Sequence, residues 1–433
     1  MAVANLSSAG LDKLFLEYIK PGLHEQFKMN TIVYDRFNTR PELCVGKYAV
    51  VKVCTNGAQS VRPSNTSTFP TAKQGAYNEF HVMLKRGLYA TLQFDGLAMA
   101  VGKGPGAVKE LVQTEVDKIE KAISNRLNKM FWGDGSGRLA QLSAAIAATT
   151  AGYVDGPWHG IDANEYTNPG QFLADDIEVD IYSSAGVLEA SGANLTSAVD
   201  AGTGSSTLAF GTALTASNNA YLFLHDTYVA AEAAGTGVPM GLMGIISAAN
   251  PYAGITPTTA FQAVNRLTNA WACAQVLSQG TSAAIPAVLE NKKILQMVHK
   301  CAQFGKVNVI LTNGPIWRSY YAKLEADKTM PNEKAYWGGT SGLAFYGGNS
   351  KPIPIIWDED CPDQSMYFID DEQVVIVAPD KAGMDWLPGD SGHILNRVQG
   401  KDEYAANLRW YYNMSTVRPQ ALGLLRYIKH SEA

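Results

Sequence analysis

The chain has 433 residues, 46% of them hydrophobic and 10% aromatic, which is ample for a packed core and excludes a disordered chain. Lys and Arg number 35 against 40 Asp and Glu, a net charge of -5, without the basic clusters of a protein built to cling to nucleic acid. No run approaches the ~18 apolar residues of a membrane-spanning helix; the closest, AAIAATTAG, is short and rich in small residues.

The N-terminal stretch MAVANLSSAGLDKLFLEYIKPG has no basic segment ahead of an apolar one, and Asp12, Lys13 and Glu17 interrupt it, so a secretory signal is not expected. Leu11, Leu14, Phe15 and Tyr18 predict a short amphipathic helix over 10–20, stopped by Pro21 and Gly22. From there to Glu42 no period is visible, and the segment reads as an arm lying on something else. KYAVVKVCT then predicts a strand. The chain returns in YNEFHVML and continues in LYATLQF, both alternating, as one long hairpin with an extended tip.

That tip, residues 56–76, exceeds the usual ~12–15 residues of an unstructured loop in a compact domain. It carries Arg62, Phe69 and Lys73 but no acid or histidine, which suits adhesion rather than chemistry; the plain alternative is an idle surface loop. Arg62, Phe69 and Lys73 are therefore candidate intersubunit contacts.

GKGPGAVKELVQTEVDKIEKAISNRLNKMFWGDGSG follows. A phosphate-binding loop needs G-x-x-x-x-G-K-S/T, which Gly102, Gly104 and Gly106 do not supply. Val108, Val112, Val116, Ile119, Ile123, Leu127 and Met130 recur at three- and four-residue steps and predict an amphipathic helix over 107–132. At ~1.5 Å per residue it is about 39 Å long. The glycines on either side read as flexible joints.

A β-rich stretch follows. IEVDIYSSAGVLEASG reads as a hairpin turning at Ser-Ala-Gly, and STLAF and AYLFLH as further strands. Helical spacing resumes in TTAFQAVNRLTNAWACAQVL and in PAVLENKKILQMVHKCAQFG, where Gly305 suits a C-terminal stop. VNVILT is a strand, and Asn313-Gly314-Pro315 opens the helix PIWRSYYAKLEADK. The strands PIPIIWD, MYFID, QVVIVAP, ANLRWYYNMS and LGLLRYIK close the chain. The class is α+β.

Little points to chemistry. The seven histidines show no metal-ligand spacing, no nucleophile elbow is present, and no cysteine sits in a catalytic signature. The five cysteines lack C-x-x-C pairing, which fits a reducing compartment and five small buried hydrophobes. Asp358, Glu359, Asp360, Asp363, Asp370 and Asp371 could form a cation site, but calcium-loop spacing is absent and a solvated loop is expected. No catalytic, cofactor-binding or metal residue is assigned, and an enzyme is not expected.

In order and spacing, the spine NKMFWGDGSGRLAQ, then EVDIYSSAGVLEASG, GLMGIIS, VNVILTNGPIWRSYYAKL, GLAFYGGNSKPIPIIWDEDCPDQSMYFID and RWYYNMSTVRPQALGLLRYI resemble a tailed-bacteriophage major capsid protein over nearly the whole chain. The resemblance implies the Hong Kong ninety-seven capsid fold, α+β. It implies an N-terminal arm at 1–42, an extended loop at 43–95, a peripheral domain with its spine helix at 96–138, and a β-rich insertion at 139–255. Helices and the axial domain follow at 256–395, and C-terminal strands at 396–433. It also implies hexamers and pentamers of this chain in an icosahedral head, assembled in the host bacterial cytoplasm, enclosing double-stranded DNA without sequence-specific binding. Portal, scaffolding or decoration proteins are the implied partners, with no cofactor and no membrane. No coiled-coil scaffolding segment precedes the arm, and no motif marks an Asn to cross-link with Lys73. The alternatives are an encapsulin-type nanocompartment shell of the same fold, and a nucleotide-binding enzyme using the 102–106 loop.

Overall fold

The computed structural model describes residues 33, 36–45, 48–57, 60, 61, 63, 65, 69, 71, 75–96, 107–154, 173, 175–200, 206–228, 238–249, 260–282, 285–326, 344–345, 352–379, 385–387 and 396–429. In chain order come β1 (Tyr48–Asn56), β2 (Ala76–Met83), β3 (Lys85–Asp95), α1 (Ala107–Trp132), β4 (Arg138–Gln141) and β5 (Ile146–Val154). Then follow β6 (Ile177–Tyr182), β7 (Leu188–Asp200), β8 (Ser206–Ala216), β9 (Tyr221–Leu224), β10 (Gln275–Ser278), α2 (Asn291–Ala302), β11 (Val309–Thr312) and α3 (Gly314–Ala326). β12 (Ile353–Trp357), β13 (Ser365–Ile369), β14 (Val374–Val377), β15 (Glu403–Thr416) and β16 (Gly423–Arg426) complete the main elements. The helix expected over 10–20 and the glycines at 102–106 lie outside the described residues.

β1 and β2 pair antiparallel from Tyr48↔Met83 to Asn56↔Ala76. Alternation sets their faces: Ala49, Val51, Phe80 and Val82 are buried together, while Tyr77, Glu79 and His81 point to solvent. The hairpin does not continue into the next strand as its sequence suggests. β3 turns away and pairs with β15, from Asp95↔Glu403 to Lys85↔Tyr412. Both strands bury matching residues, Leu92 and Phe94 on one and Leu408, Trp410 and Tyr412 on the other, and shared apolar cover outweighs the local connection. β15 also carries β14 and two short strands, Asp385–Trp386 and Asn396–Arg397. Asn38–Thr39 adds to β14 in parallel, and Arg36 reaches Asp371 at 3.5 Å, so residues 36–39 are fixed to the body.

The second sheet runs β4-β9-β6-β7-β8-β5 and holds the expected hairpin of β6 and β7. The third runs β10-β16-β13-β11-β12 and ends on Ala344–Phe345. Every residue of β11 and β13 is buried, the pattern of a sheet covered on both faces. α2 and α3 supply cover through Ile294, Met297, Cys301, Ile316 and Tyr320, which pack with Ile310 and Phe368. The first turn of α3 is capped from the sequence, with Asn313 Oδ1 accepting from Ile316 N–H at 3.3 Å.

Three local expectations change. The helix expected in TTAFQAVNRLTNAWACAQVL does not form: a turn links Phe261 to Val264, a 3-10 turn covers Ala270–Ala272, and β10 follows. Asn265, Thr268 and Asn269 bond nearby backbone instead, and Gln262 and Ala263 sit at φ 47° and 70°. Gly305 is not a left-handed stop; a Cβ there would lie 2.6 Å from Cβ of Ala421, so close packing demands glycine. Of the cysteines, Cys301 and Cys361 are buried, Cys44 and Cys273 are half-buried, and Cys54 is exposed on the outer face of β1.

Candidate functional site

At the hairpin tip Phe69 is 99% exposed, Val61 87% and, on β2, Tyr77 77%. Arg62 and Lys73 lie outside the described residues, so Phe69 alone of the three expected contact residues is placed. A large apolar side chain left in water forgoes about 1.5–3 kcal/mol that burial against a second surface would recover. Nothing nearby on the described chain covers Phe69, and β2 forms one edge of the small sheet of Cys44–Val45, β1 and β2.

The C-terminal half of α1 is wedged into the body. Ile123, Leu127, Phe131 and Trp132 are buried, with the Phe131 ring against Tyr412 at 5.6 Å and Trp132 against Tyr367 at 5.1 Å. One polar residue breaks this apolar stripe. Asn128 is buried, accepts from Val33 N–H at 3.3 Å, and donates to Asp358 at 3.1 Å and to Asp360 at 2.6 Å. The acidic stretch is therefore not a solvated loop: Asp358, Asp360, Asp363 and Asp370 are all buried. Asp360 N–H donates to Asp358 Oδ1, Asn313 donates to Asp363, and Asn308 Nδ2 donates to Asp370 at 3.2 Å. These carboxylates close loops against backbone and amide donors, which sequence spacing cannot show. Burial, then the neighbouring Asp360, pushes the Asp358 carboxyl up from its ordinary range.

The glycine cluster after α1 is a packed turn. Gly135 and Gly137 have φ of 84° and 79°, and a Cβ at Gly137 would meet Val238 at 2.9 Å. Just before them, Asp134 accepts from Ser136 N–H and, at 3.2 Å, from the buried Arg138 guanidinium. The glycines here serve tight turns and close approach rather than slack.

Beside this turn, α1, β3 and the ends of β4 and β9 enclose a cavity of about 860 Å³. Arg86, Arg126, Lys129 and Arg138 line it, with Asp134, His225 and Asp226. His225 Nδ1 donates to Asp180 at 2.7 Å, and Asp226 Oδ2 lies 3.6 Å from its Nε2. Asp180, His225 and Asp226 come from distant positions, so no ligand spacing announces them, yet their ligand atoms converge as a metal site would require. Asp180 is already spoken for: it also accepts from Gly192 N–H at 2.8 Å and Asp226 N–H at 2.9 Å. A cation would have to displace those bonds amid four cationic side chains, and the trio reads as a brace between β6, β7 and β9. The bond to Asp180 raises the His225 pKa. Burial alone would raise that of Asp180, but the bonds from His225, Gly192 and Asp226 bring it below its ordinary value.

No family model matches the chain, and no curated protein sequence does. Solved structures do. A chain of the cyanophage A-1(L) capsid asymmetric unit is 12% identical with a TM-score of 0.53, covering 94% of this chain and 95% of that one. The capsid of the native GTA particle is 9% identical at 0.44, over 95% and 96%. The holo-SrpI encapsulin complex from Synechococcus elongatus PCC 7942 is 8% identical at 0.42, over 100% and 98%. Nearly end to end, the chain has the fold of the cyanophage capsid subunit, the α+β capsid fold that its sequence resembles.

Proposed function

We propose that the chain is a major capsid protein, self-assembling as hexamers and pentamers into the icosahedral head of a tailed bacteriophage around its double-stranded DNA. The observation that carries this reading is the capsid fold over 94% of the chain, at a TM-score of 0.53. The hairpin supports it: a fully exposed Phe69 is a surface for a neighbour, not for a solitary subunit. In this reading residues 1–42 are the arm, 43–95 the extended loop, 96–138 the spine segment, 139–255 an insertion in the peripheral domain, 256–395 the helices and axial domain, and 396–433 the closing strands. Arg62, Phe69 and Lys73 touch the adjacent subunit. The role is structural, without catalysis.

Assembly takes place in the host bacterial cytoplasm, with portal, scaffolding or decoration proteins as partners, and the product is the virion shell. A net charge of -5 suits a container that holds DNA without gripping it, because each neutralised phosphate would add affinity that a moving genome must break. Electron microscopy of the purified chain, concentrated with its scaffold and portal, tests this. Closed icosahedral particles or capsomers are expected; a subunit that stays monomeric throughout overturns it. DNA inside particles from infected cells is the expected content, and a cargo enzyme in its place would mark a nanocompartment.

A further inference from the structure

Among the described residues, the buried guanidinium groups come with their partners, and the half-buried Arg126 is the contrast. Arg138 is held by Asp134 and Ser136. Arg266 is held by four carbonyls, those of Ala272, Gly244, Ala249 and Ile245, and stacks on Phe261 with its guanidinium 3.6 Å from the ring centre. Arg126 lies on the face of α1 that lines the 860 Å³ cavity, and among the described residues no carboxylate or carbonyl meets its guanidinium. Desolvation alone lowers its pKa, with no acid to offset it. Arg126 is half-buried, so its charge is partly desolvated without an acid beside it, and the residues around it deepen the imbalance rather than relieve it.

Arg86 stands exposed at the cavity mouth, and Lys129, which donates to the Leu173 carbonyl at 3.3 Å, adds a second positive charge on α1 one helical turn from Arg126. Of the two lining carboxylates, Asp134 is bound to Arg138, and Asp226 is almost wholly solvent-facing. The walls also carry apolar side chains, among them Leu88, Met130, Leu139 and Val238. A free phosphate would use the charges and waste those walls. An acidic peptide with an apolar residue beside its carboxylate would use both, and the volume lies in the range of ordinary ligand pockets.

We propose that this cavity is a binding site for a carboxylate-bearing peptide segment of a partner protein, with Arg126 as the central contact, Arg86 and Lys129 flanking it, and the apolar walls taking the neighbouring side chain. The inference goes beyond the shell reading and does not need it. Arg126 and a carboxylate form two parallel N–H···O bonds in the planar geometry that a guanidinium favours.

Calorimetric titration of the full chain with an acetylated, amidated Glu-Leu-Glu-Glu peptide, and separately with inorganic phosphate, tests it. The peptide is expected to bind at least about tenfold more tightly than phosphate, by the added burial of its leucine. Arg126→Gln is expected to weaken it about thirtyfold or more, as for one partner of a desolvated charge pair, and Arg86→Ala about threefold, as for a charge at the rim. Unchanged peptide affinity in Arg126→Gln, phosphate binding as tight as the peptide, or no peptide binding to the unaltered chain would each overturn the proposal. Should Arg126→Gln fail to fold, Arg86→Ala decides, since its exposed side chain is dispensable for folding: undiminished binding there refutes the site. The titration uses unassembled chain, so its failure leaves the shell reading standing, and failure to assemble leaves this site standing.

Discussion

The hairpin of β1 and β2 and the junction around the end of α1 break the usual rule of burial in opposite directions. At the hairpin, large apolar side chains stand in water: Phe69, Val61 and Tyr77 contribute almost nothing to the subunit that carries them. At the junction, polar and charged groups lie inside: Asn128, Asp358, Asp360, Arg138 and Arg266 are buried, each with hydrogen bonds aimed at it. The first arrangement leaves stabilisation to be realised on contact with a second molecule. The second fixes the angle between helix and sheets, because a network of directed bonds has one good geometry where an apolar contact has several. The difference separates side chains that stabilise the chain's own fold from side chains that add almost nothing to it.

Four substitutions probe that separation. Arg266→Ala strips four carbonyls of their donor and opens a void against Phe261, and should cost about 3–5 kcal/mol in chemical denaturation. Asn128→Leu should cost about 2–3 kcal/mol at neutral pH by leaving the Asp358 and Asp360 carboxylates without their amide donor. Its pH dependence has a definite sign. The folded Asp358 pKa is raised, so the favourable contribution of its neutral form is complete at acid pH and is lost as pH rises through that raised value. The Leu variant should therefore lose least in acid, and an equal loss at every pH would remove the carboxyl pair from the account.

His225→Ala is the third, at about 1 kcal/mol or less once solvent screening is allowed for. The His225 contribution is full below its unfolded pKa and is lost as pH rises through the raised folded one. The Asp180 contribution is present above its unfolded pKa and is lost as pH falls through the lowered folded one. Stability from the brace thus peaks between about pH 4 and 6.5, and the variant's curve should flatten in that window. Phe69→Ser is the smallest for the subunit, within about 0.5 kcal/mol, while particle yield by electron microscopy should fall. A large loss of subunit stability would mean that the tip belongs to the core, and the contrast between the two regions would collapse.

Periodicity made the long elements legible. Ile119, Ile123 and Leu127 at four-residue steps locate α1, alternation locates β2 and β6, and short apolar runs locate β1 and β13. It fails where bonds cross between distant segments. Nothing in the residues of β3 says that its partner is β15 rather than β2. The spacing of TTAFQAVNRLTNAWACAQVL is helical in period, yet Asn265 and Asn269 hold the backbone locally and Arg266 is drawn inward to cap the turn Leu242–Ile245. The acidic run 358–371 looks like a solvated loop because sequence shows its charge and not the donors that meet it. The cavity beside α1 is illegible for the same reason: Arg86, Arg126 and Arg138 are unremarkable as neighbours in sequence and converge only through the fold.

The pairing of β3 with β15 sets a timetable for synthesis. Gln93 and Glu403 are bonded side chain to side chain across 310 residues of chain. At roughly 5–20 residues per second, a ribosome needs roughly 15–60 s to deliver the second strand after the first has emerged. For that interval Leu92 and Phe94 have no cover, and β3 presents an open edge in a crowded cell. The β3–β15 sheet therefore closes only after residue 403 has been made, and every chain released before it leaves the ribosome as a sticky fragment dependent on chaperones.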